Sequence, residues 1–342
     1  MVKYSIVIAT YNRLDELKEL FESFHGLATD NHLYEIIIAD DGSTDMTRDF
    51  ISSQEPFFNI VYLFQQNQGP GAARNYAMSK ASGSYFIFID SDVILPSNYL
   101  QHVSSYLESN DVDAFGGPDT YHPSFSPLLK AINYSMTSFL GTGGTRGSKK
   151  SIGKYYPRSF NMGISKEVYS RIGGFGDLRH GQDMDFSARI YKAGFSVGFI
   201  EDAFVYHKRR TSLKKFYNQI HNWGVARINL GKMHSELYKP IHFIPAVLLV
   251  GSIVIFALTS FLYNIRMGAT VIVLPALLLI FLAFIDSFRS YKNLKVGALS
   301  VITLFTQIIA YGVGSLKGLF QIYILRRDIA QGITKNYYGR SK

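Results

Sequence analysis

Two stretches near the C-terminus, residues 241–263 and 269–285, contain no Asp, Glu, Lys or Arg. Each is close to the roughly 20 apolar residues that cross a bilayer as a helix. A helix buried in a soluble core is disfavoured for both, because neither carries a charge. Only Asn264-Ile265-Arg266-Met267-Gly268 separates them, so the spacing predicts a helical hairpin. A third apolar stretch, 296–316, has Gly312, Gly314 and Gly318 at or just beyond its end, and for it a buried soluble helix stays open. Residues 240–325 are therefore expected to form a transmembrane region of three spans, followed by a basic tail, 326–342.

Charge divides the chain in the same way. Residues 1–207 carry a net −6, residues 208–239 a net +7 and residues 240–342 a net +8. The overall +9 thus belongs to the apolar half, where it suits anionic lipid rather than nucleic acid. The absence of cysteine excludes a disulfide scaffold or a thiolate zinc site. The apolar run at the start ends at Thr10, too short for a signal core, and reads as a buried strand. Lys/Arg bias places the Asp286–Lys295 loop, with Arg289, Lys292 and Lys295, on the cytoplasmic side together with residues 1–207. The expected location is the cell membrane, multi-pass, with a cytoplasmic head.

Within the head, Tyr4–Ala9, Tyr34–Ala39, Ile60–Phe64 and Tyr85–Ile89 are short apolar runs separated by helical stretches near 13–24, 45–54 and 71–81. This alternation predicts an α/β fold with a parallel sheet covered by helices. Ligands of such sheets bind at the carboxyl ends of the strands. Those ends carry Thr10-Tyr11-Asn12-Arg13, Asp40-Asp41-Gly42-Ser43-Thr44-Asp45 and Asp90-Ser91-Asp92. Alone, the second also reads as a turn followed by a helix cap.

The ordered motifs SIVIATYNR, IIIADDGSTD, NQGPGAARN, FIDSD, FNMGISKEVYSRIGGF and GQDMDF resemble the inverting family-2 glycosyltransferases of GT-A fold, over about residues 1–207. The resemblance implies a Rossmann-like nucleotide-sugar domain. Thr10, Tyr11, Asn12, Arg13, Asp41, Arg74, Asp90, Ser91 and Asp92 would bind the donor, with Tyr11 against the base and Arg74 meeting phosphates. It further implies a divalent ion, Mg²⁺ or Mn²⁺, on Asp92 with His207 as a further ligand. Asp183 would be the general base, with Gln182 in place of the family's usual acid. Asn161, Gln182 and Trp223 would lie on the acceptor side. Gly173-Gly174-Phe175 reads as a tight turn, and residues 141–153 as a glycine-rich loop.

Between head and anchor, Leu213, Phe216, Tyr217, Ile220, Trp223 and Leu230 recur at helical spacing beside Lys208-Arg209-Arg210 and Lys214-Lys215. Residues 208–239 are therefore expected to form a basic interfacial helix, whose charges border the path of an acceptor phosphate. Packing back onto protein is the alternative. Gln219-Ile220-His221-Asn222-Trp223 resembles the Gln-x-x-Arg-Trp motif of processive synthases, with Asn222 at the arginine position. The expected function is transfer of a sugar from a UDP-sugar, or a GDP-sugar, to a lipid-linked acceptor in cell-surface polysaccharide or glycan synthesis, of the succinoglycan type. A polyprenol- or dolichol-phosphate sugar transferase, a processive synthase and an inactive membrane scaffold remain as alternatives.

Overall fold

The computed structural model describes residues 3–143 and 154–333. In chain order the elements begin β1 (Tyr4–Thr10), α1 (Leu14–His25), β2 (Tyr34–Asp40), α2 (Thr47–Gln54), β3 (Ile60–Phe64), α3 (Pro70–Met78), β4 (Tyr85–Ile89) and β5 (Val93–Ile94). Then come α4 (Tyr99–Ser109), β6 (Ala114–Gly116), β7 (Asp119–Thr120), α5 (Pro127–Thr137) and α6 (Phe139–Thr142). After the break follow β8 (Asn161–Ser165), α7 (Lys166–Ile172), α8 (Gln182–Lys192), β9 (Val197–Phe199) and β10 (Val205–His207). The chain continues as α9 (Leu213–Met233), α10 (Ile244–Leu262), α11 (Ile265–Tyr291) and α12 (Leu294–Leu319).

The chain divides into two compact units. The first, built on described residues 3–122 and 154–208, holds a seven-stranded sheet of order β3-β2-β1-β4-β8-β6-β9 and a three-stranded sheet β5-β10-β7. Strands β3, β2, β1 and β4 run parallel, as expected from the alternation of strands and helices. Alternation of side chains across a strand, with a core on each face, explains why these segments are mostly apolar. Ile6, Ile8, Ile36, Ile38, Ile87 and Ile89 enter a core with Phe21, Phe24 and Tyr99. Val7, Ile37, Ala39, Phe86 and Phe88 enter the opposite core with Ala73, Ala77 and Phe186. The sheet is mixed rather than wholly parallel, because β8 inserts antiparallel between β4 and β6.

The second unit takes described residues 123–143 and 209–333. The expectation that residues 1–207 form one continuous head is corrected here: α5 and α6 pack with the C-terminal helices. Gln307 of α12 donates to the Ser135 and Gly141 carbonyls at 2.8 and 2.7 Å, and the Tyr134 hydroxyl donates to Asp286 at 2.8 Å. Among the described residues three helices are long and apolar enough to cross a membrane. They are Pro240–Leu262, Ile265–Tyr291 and Leu294–Ile324, with mean hydropathy 2.5, 2.7 and 1.8 over an 18-residue stretch of each. The expected Asp286–Lys295 loop shrinks to a turn at Lys292 and Asn293, since Asp286 and Arg289 lie within α11.

Helix α9 uses its apolar face against protein. Phe216 and Ile220 are buried in a cluster with Ile132, Met136 and Ala310, and Trp223 packs against it. Small residues let the backbones of α9 and α12 approach, as in membrane helix pairs. A Cβ at Gly314 would strike the His221 carbonyl, and one at Gly224 the Tyr311 carbonyl. The reading of this helix as one whose aromatic stripe faces lipid is therefore corrected for Phe216 and Ile220. Arg209 is also not free for a phosphate: it is buried and donates to Asn133 Oδ1 at 2.8 and 3.2 Å. Asn222, at the motif's arginine position, accepts the Ile333 N–H at 2.9 Å. Asn229 and Ala330 exchange two hydrogen bonds, so the start of the expected basic tail is fastened to α9. Residues 144–153 and 334–342, holding most of the glycine-rich loop and the rest of the tail, lie outside the described residues.

Candidate active site

The carboxyl ends of β1 and β2 lie side by side, with Thr10 in register with Asp40. The Asp40–Asp45 segment folds as a turn in which Asp40 accepts the Ser43 N–H at 2.7 Å and the Tyr62 hydroxyl at 2.7 Å. Gly42 at φ +91° makes this turn affordable, since a side chain there would be strained. Asn12 joins the two strand ends, donating its N–H to Ser43 at 2.9 Å and accepting the Thr44 N–H at 2.8 Å. Asp41 is buried and accepts from Gln65 Nε2, Gln68 N and Gly69 N at 2.6, 2.9 and 2.7 Å. Its carboxylate thus holds the loop before α3, with capacity left for about one further donor. Tyr11, 45% exposed, is open to stack on a planar ligand.

Helix α3 delivers Arg74, whose buried guanidinium donates to Asp90 Oδ1 at 2.6 Å and lies 5.4 Å from the Phe175 ring centroid. The Arg74 Nε and the Thr10 hydroxyl are buried with no hydrogen-bond partner among the described residues. At the next position, Asn75 exchanges two hydrogen bonds with the Phe175 backbone at 2.8 and 2.9 Å. That exchange pins the Gly173-Gly174-Phe175 turn, where Gly173 adopts φ +70°.

The small sheet assembles the acidic centre. β10 pairs with β5, which follows Asp92, and with β7, which begins at Asp119. His207 Nε2 lies 3.3 Å from Asp92 Oδ1, and its Nδ1 lies 3.2 Å from Asp119 Oδ2. Ligand atoms of Asp90, Asp92 and His207 all fall within 4.8 Å of one another. Two hard carboxylates and an imidazole form a donor set that fits Mn²⁺ or Mg²⁺. Arg13 approaches from β1, 4.0 Å from Asp92 and 2.7 Å from Glu16. Burial alone would lower its pKa, but Asp92, Glu16 and Asp90 outweigh that and raise it. Ser91, between the two acids, is buried.

Asp183 sits in the first turn of α8, where the helix dipole favours a carboxylate. It accepts the Met184 N–H at 2.9 Å, and Arg158 Nη1 lies 3.7 Å from its Oδ2. Gln182 donates to the Gly176 carbonyl at 3.1 Å, which fastens its amide to the loop before α8, and it packs against Gly71 at the start of α3. Asn161 is corrected. It is fully buried, donating to the Ala203 carbonyl at 2.7 Å and accepting the Tyr99 hydroxyl at 2.7 Å, and it cannot touch an acceptor. Burial pushes the Tyr99 hydroxyl pKa far up, which keeps that donor protonated. Trp223 belongs to the other unit.

Residues 5–173 match the family model described as Glycosyl transferase family 2. The chain carries a glycosyltransferase family 2 domain. Glycosyltransferase AglE of Haloferax volcanii is 25% identical over 254 residues, covering 70% of this chain and 81% of that protein. The succinoglycan biosynthesis protein ExoA of Rhizobium meliloti is 24% identical, covering 65% of this chain and 68% of that protein. An uncharacterized glycosyltransferase of Rickettsia bellii is 33% identical over 109 residues, 32% of this chain, but the match spans only 16% of that longer protein. Among solved structures, the mannosyltransferase PcManGT of Pyrobaculum calidifontis in complex with GDP-Man and Mn²⁺ aligns with TM-score 0.64 at 15% identity. That alignment covers 93% of this chain and 87% of the other and shows a shared GT-A fold.

Gln182, Asp183 and His207 lie beyond the matched residues. Of these, His207 is brought to Asp92 by the small sheet. Sequence reasoning missed Asp119 and Arg158, which contact His207 and Asp183. The signal for Asp119 is slight: an acid after Gly116-Gly117-Pro118, where Gly117 lies against the Ala203 carbonyl and the Asn161 amide.

Proposed function

We propose that the chain is a metal-dependent, inverting glycosyltransferase that moves one sugar from a UDP-sugar, or a GDP-sugar, to a lipid-linked saccharide. The observation that carries this is the convergence of Asp90, Asp92 and His207 on one point beside Arg13 and Arg74. Tyr11 stacks on the base, Asp41 takes a base N–H, and Arg74 meets the diphosphate. Asp90 serves the ribose side, while Asp92 and His207 hold the ion. A divalent ion there supplies a Lewis acid for the charge that develops on the departing diphosphate. Asp183 accepts the proton of the acceptor hydroxyl as its oxygen attacks the anomeric carbon opposite the diphosphate. Described residues 3–122 and 154–208 are the source of these groups, with 240–325 as the anchor.

Three apolar helices in the same chain favour an acceptor that itself resides in the membrane. Lys/Arg bias around the Asp286–Lys295 segment favours a cytoplasmic catalytic domain. The neighbour solved with GDP-Man and Mn²⁺ and the relative named for succinoglycan biosynthesis support the donor and product classes. Occupation of Asn222 by the Ile333 backbone argues against a processive synthase that uses an arginine at that position. The test is incubation of purified enzyme, membrane lipid extract and Mn²⁺ with radiolabelled UDP- and GDP-sugars. Label in the organic phase from one donor supports the reading; label only in water-soluble product, or none from any donor, refutes it.

A further inference from the structure

We propose that Asp119 is a positioning residue for the metal centre: it fixes the tautomer and ring orientation of His207 and thereby sets the affinity for the divalent ion. The inference rests on the metal reading above. The imidazole lies between two carboxylates, Nδ1 at 3.2 Å from Asp119 and Nε2 at 3.3 Å from Asp92. The Asp119 side chain is only 1% exposed, against 14% for Asp92. An ionised carboxylate only accepts hydrogen bonds, so Asp119 draws the ring proton to Nδ1. That leaves the Nε2 lone pair toward Asp90 and Asp92, the arrangement in which a backing carboxylate orients a ligating histidine.

The backbone is arranged to keep this geometry. Asp119 on β7 stands in register with Val205 on β10, two residues before His207. Asn161 ties the approaches to both strands, donating to the Pro118 carbonyl at 3.5 Å and to the Ala203 carbonyl at 2.7 Å. The Tyr99 hydroxyl fixes the orientation of that amide. The Phe160 ring, 4.8 Å from the imidazole centroid, flanks His207 and limits its rotation. A buried asparagine, a buried tyrosine and a phenylalanine are thus all spent on one histidine and its carboxylate.

The test is titration of Mn²⁺ alone into the full-length protein in detergent, following free Mn²⁺ by electron paramagnetic resonance. Loss of a backing carboxylate typically costs 10–100-fold in metal affinity. Asp119→Ala should therefore weaken Mn²⁺ binding about 10–100-fold. The double variant Asp119→Ala, His207→Ala should bind no more weakly than His207→Ala alone, since Asp119 acts through the imidazole. Metal-free UDP binding should be unchanged in Asp119→Ala, which a merely structural loss would not leave intact. Asp119→Asn, which keeps an acceptor oxygen, should fall between wild type and Asp119→Ala, and it serves in the same cycle if the alanine variant does not fold. Wild-type affinity in the Asp119 variants while His207→Ala is weakened, or fully additive losses, overturns the inference alone. Wild-type affinity in His207→Ala overturns the metal reading as well.

Discussion

Replacing Asp183 with asparagine separates chemistry from binding. The amide is nearly isosteric and retains an oxygen for the Met184 N–H, so the start of α8 keeps its geometry. The structural cost is the ion pair with Arg158, a 3.7 Å contact between side chains 22% and 32% exposed. Pairs of that kind are worth about 0–1 kcal/mol. The chemical cost is larger: a positioned general base contributes about 10²–10⁴-fold. At 1.36 kcal/mol per decade that is about 2.7–5.4 kcal/mol of barrier. Asp183→Asn should therefore lower kcat by about 10²–10⁴-fold, while donor affinity and melting temperature stay near wild type. Steady-state transfer at saturating donor, paired with calorimetric donor binding, measures both. A kcat within tenfold of wild type, or donor affinity falling as far as kcat, refutes the assignment of Asp183 as base.

Two further substitutions test the scaffold. Glu35 is buried and accepts from the Ser5 hydroxyl at 2.5 Å and the Ser82 N–H at 2.7 Å. Glu35→Ala should cost about 1–3 kcal/mol of stability, read as a lower urea midpoint with an unchanged slope, because it strands buried donors. Gly314→Leu should force α9 away from α12 and cost about 1–3 kcal/mol or more. A detergent melting curve unshifted from wild type would contradict that close approach.

How much of this was legible in the sequence depended on element length. β1 to β4 are five to seven residues long and mostly apolar, enough for pattern to declare a strand buried on both faces. β5, β7 and β10 have two or three residues and no readable period, yet they bring His207 to Asp92 and Asp119. The residues proposed for the donor side, Arg74 apart, stand out in the sequence because they follow the long strands. Asp119 was not, because the sheet that gives it a role was not visible. Asn161 was misjudged because a polar residue beside a site reads the same whether it faces a ligand or clamps two strands. The aromatic stripe of α9 posed a similar ambiguity, since helical spacing reports a buried face and not what covers it. Gly224 on α9 and Gly314 on α12 held the missing information, as places where another backbone comes close.

The central claim, a metal-assisted nucleotide-sugar site on Asp90, Asp92 and His207, is tested most directly by nucleotide release. Wild type and Asp92→Asn would be supplied with the active donor and lipid extract, with Mn²⁺ and then with excess chelator, and nucleoside diphosphate measured. The account predicts release by wild type with Mn²⁺, its loss in chelator and its recovery on adding the ion back, with Asp92→Asn inactive throughout while remaining folded. Full release by wild type in excess chelator, or by Asp92→Asn in either condition, would contradict it.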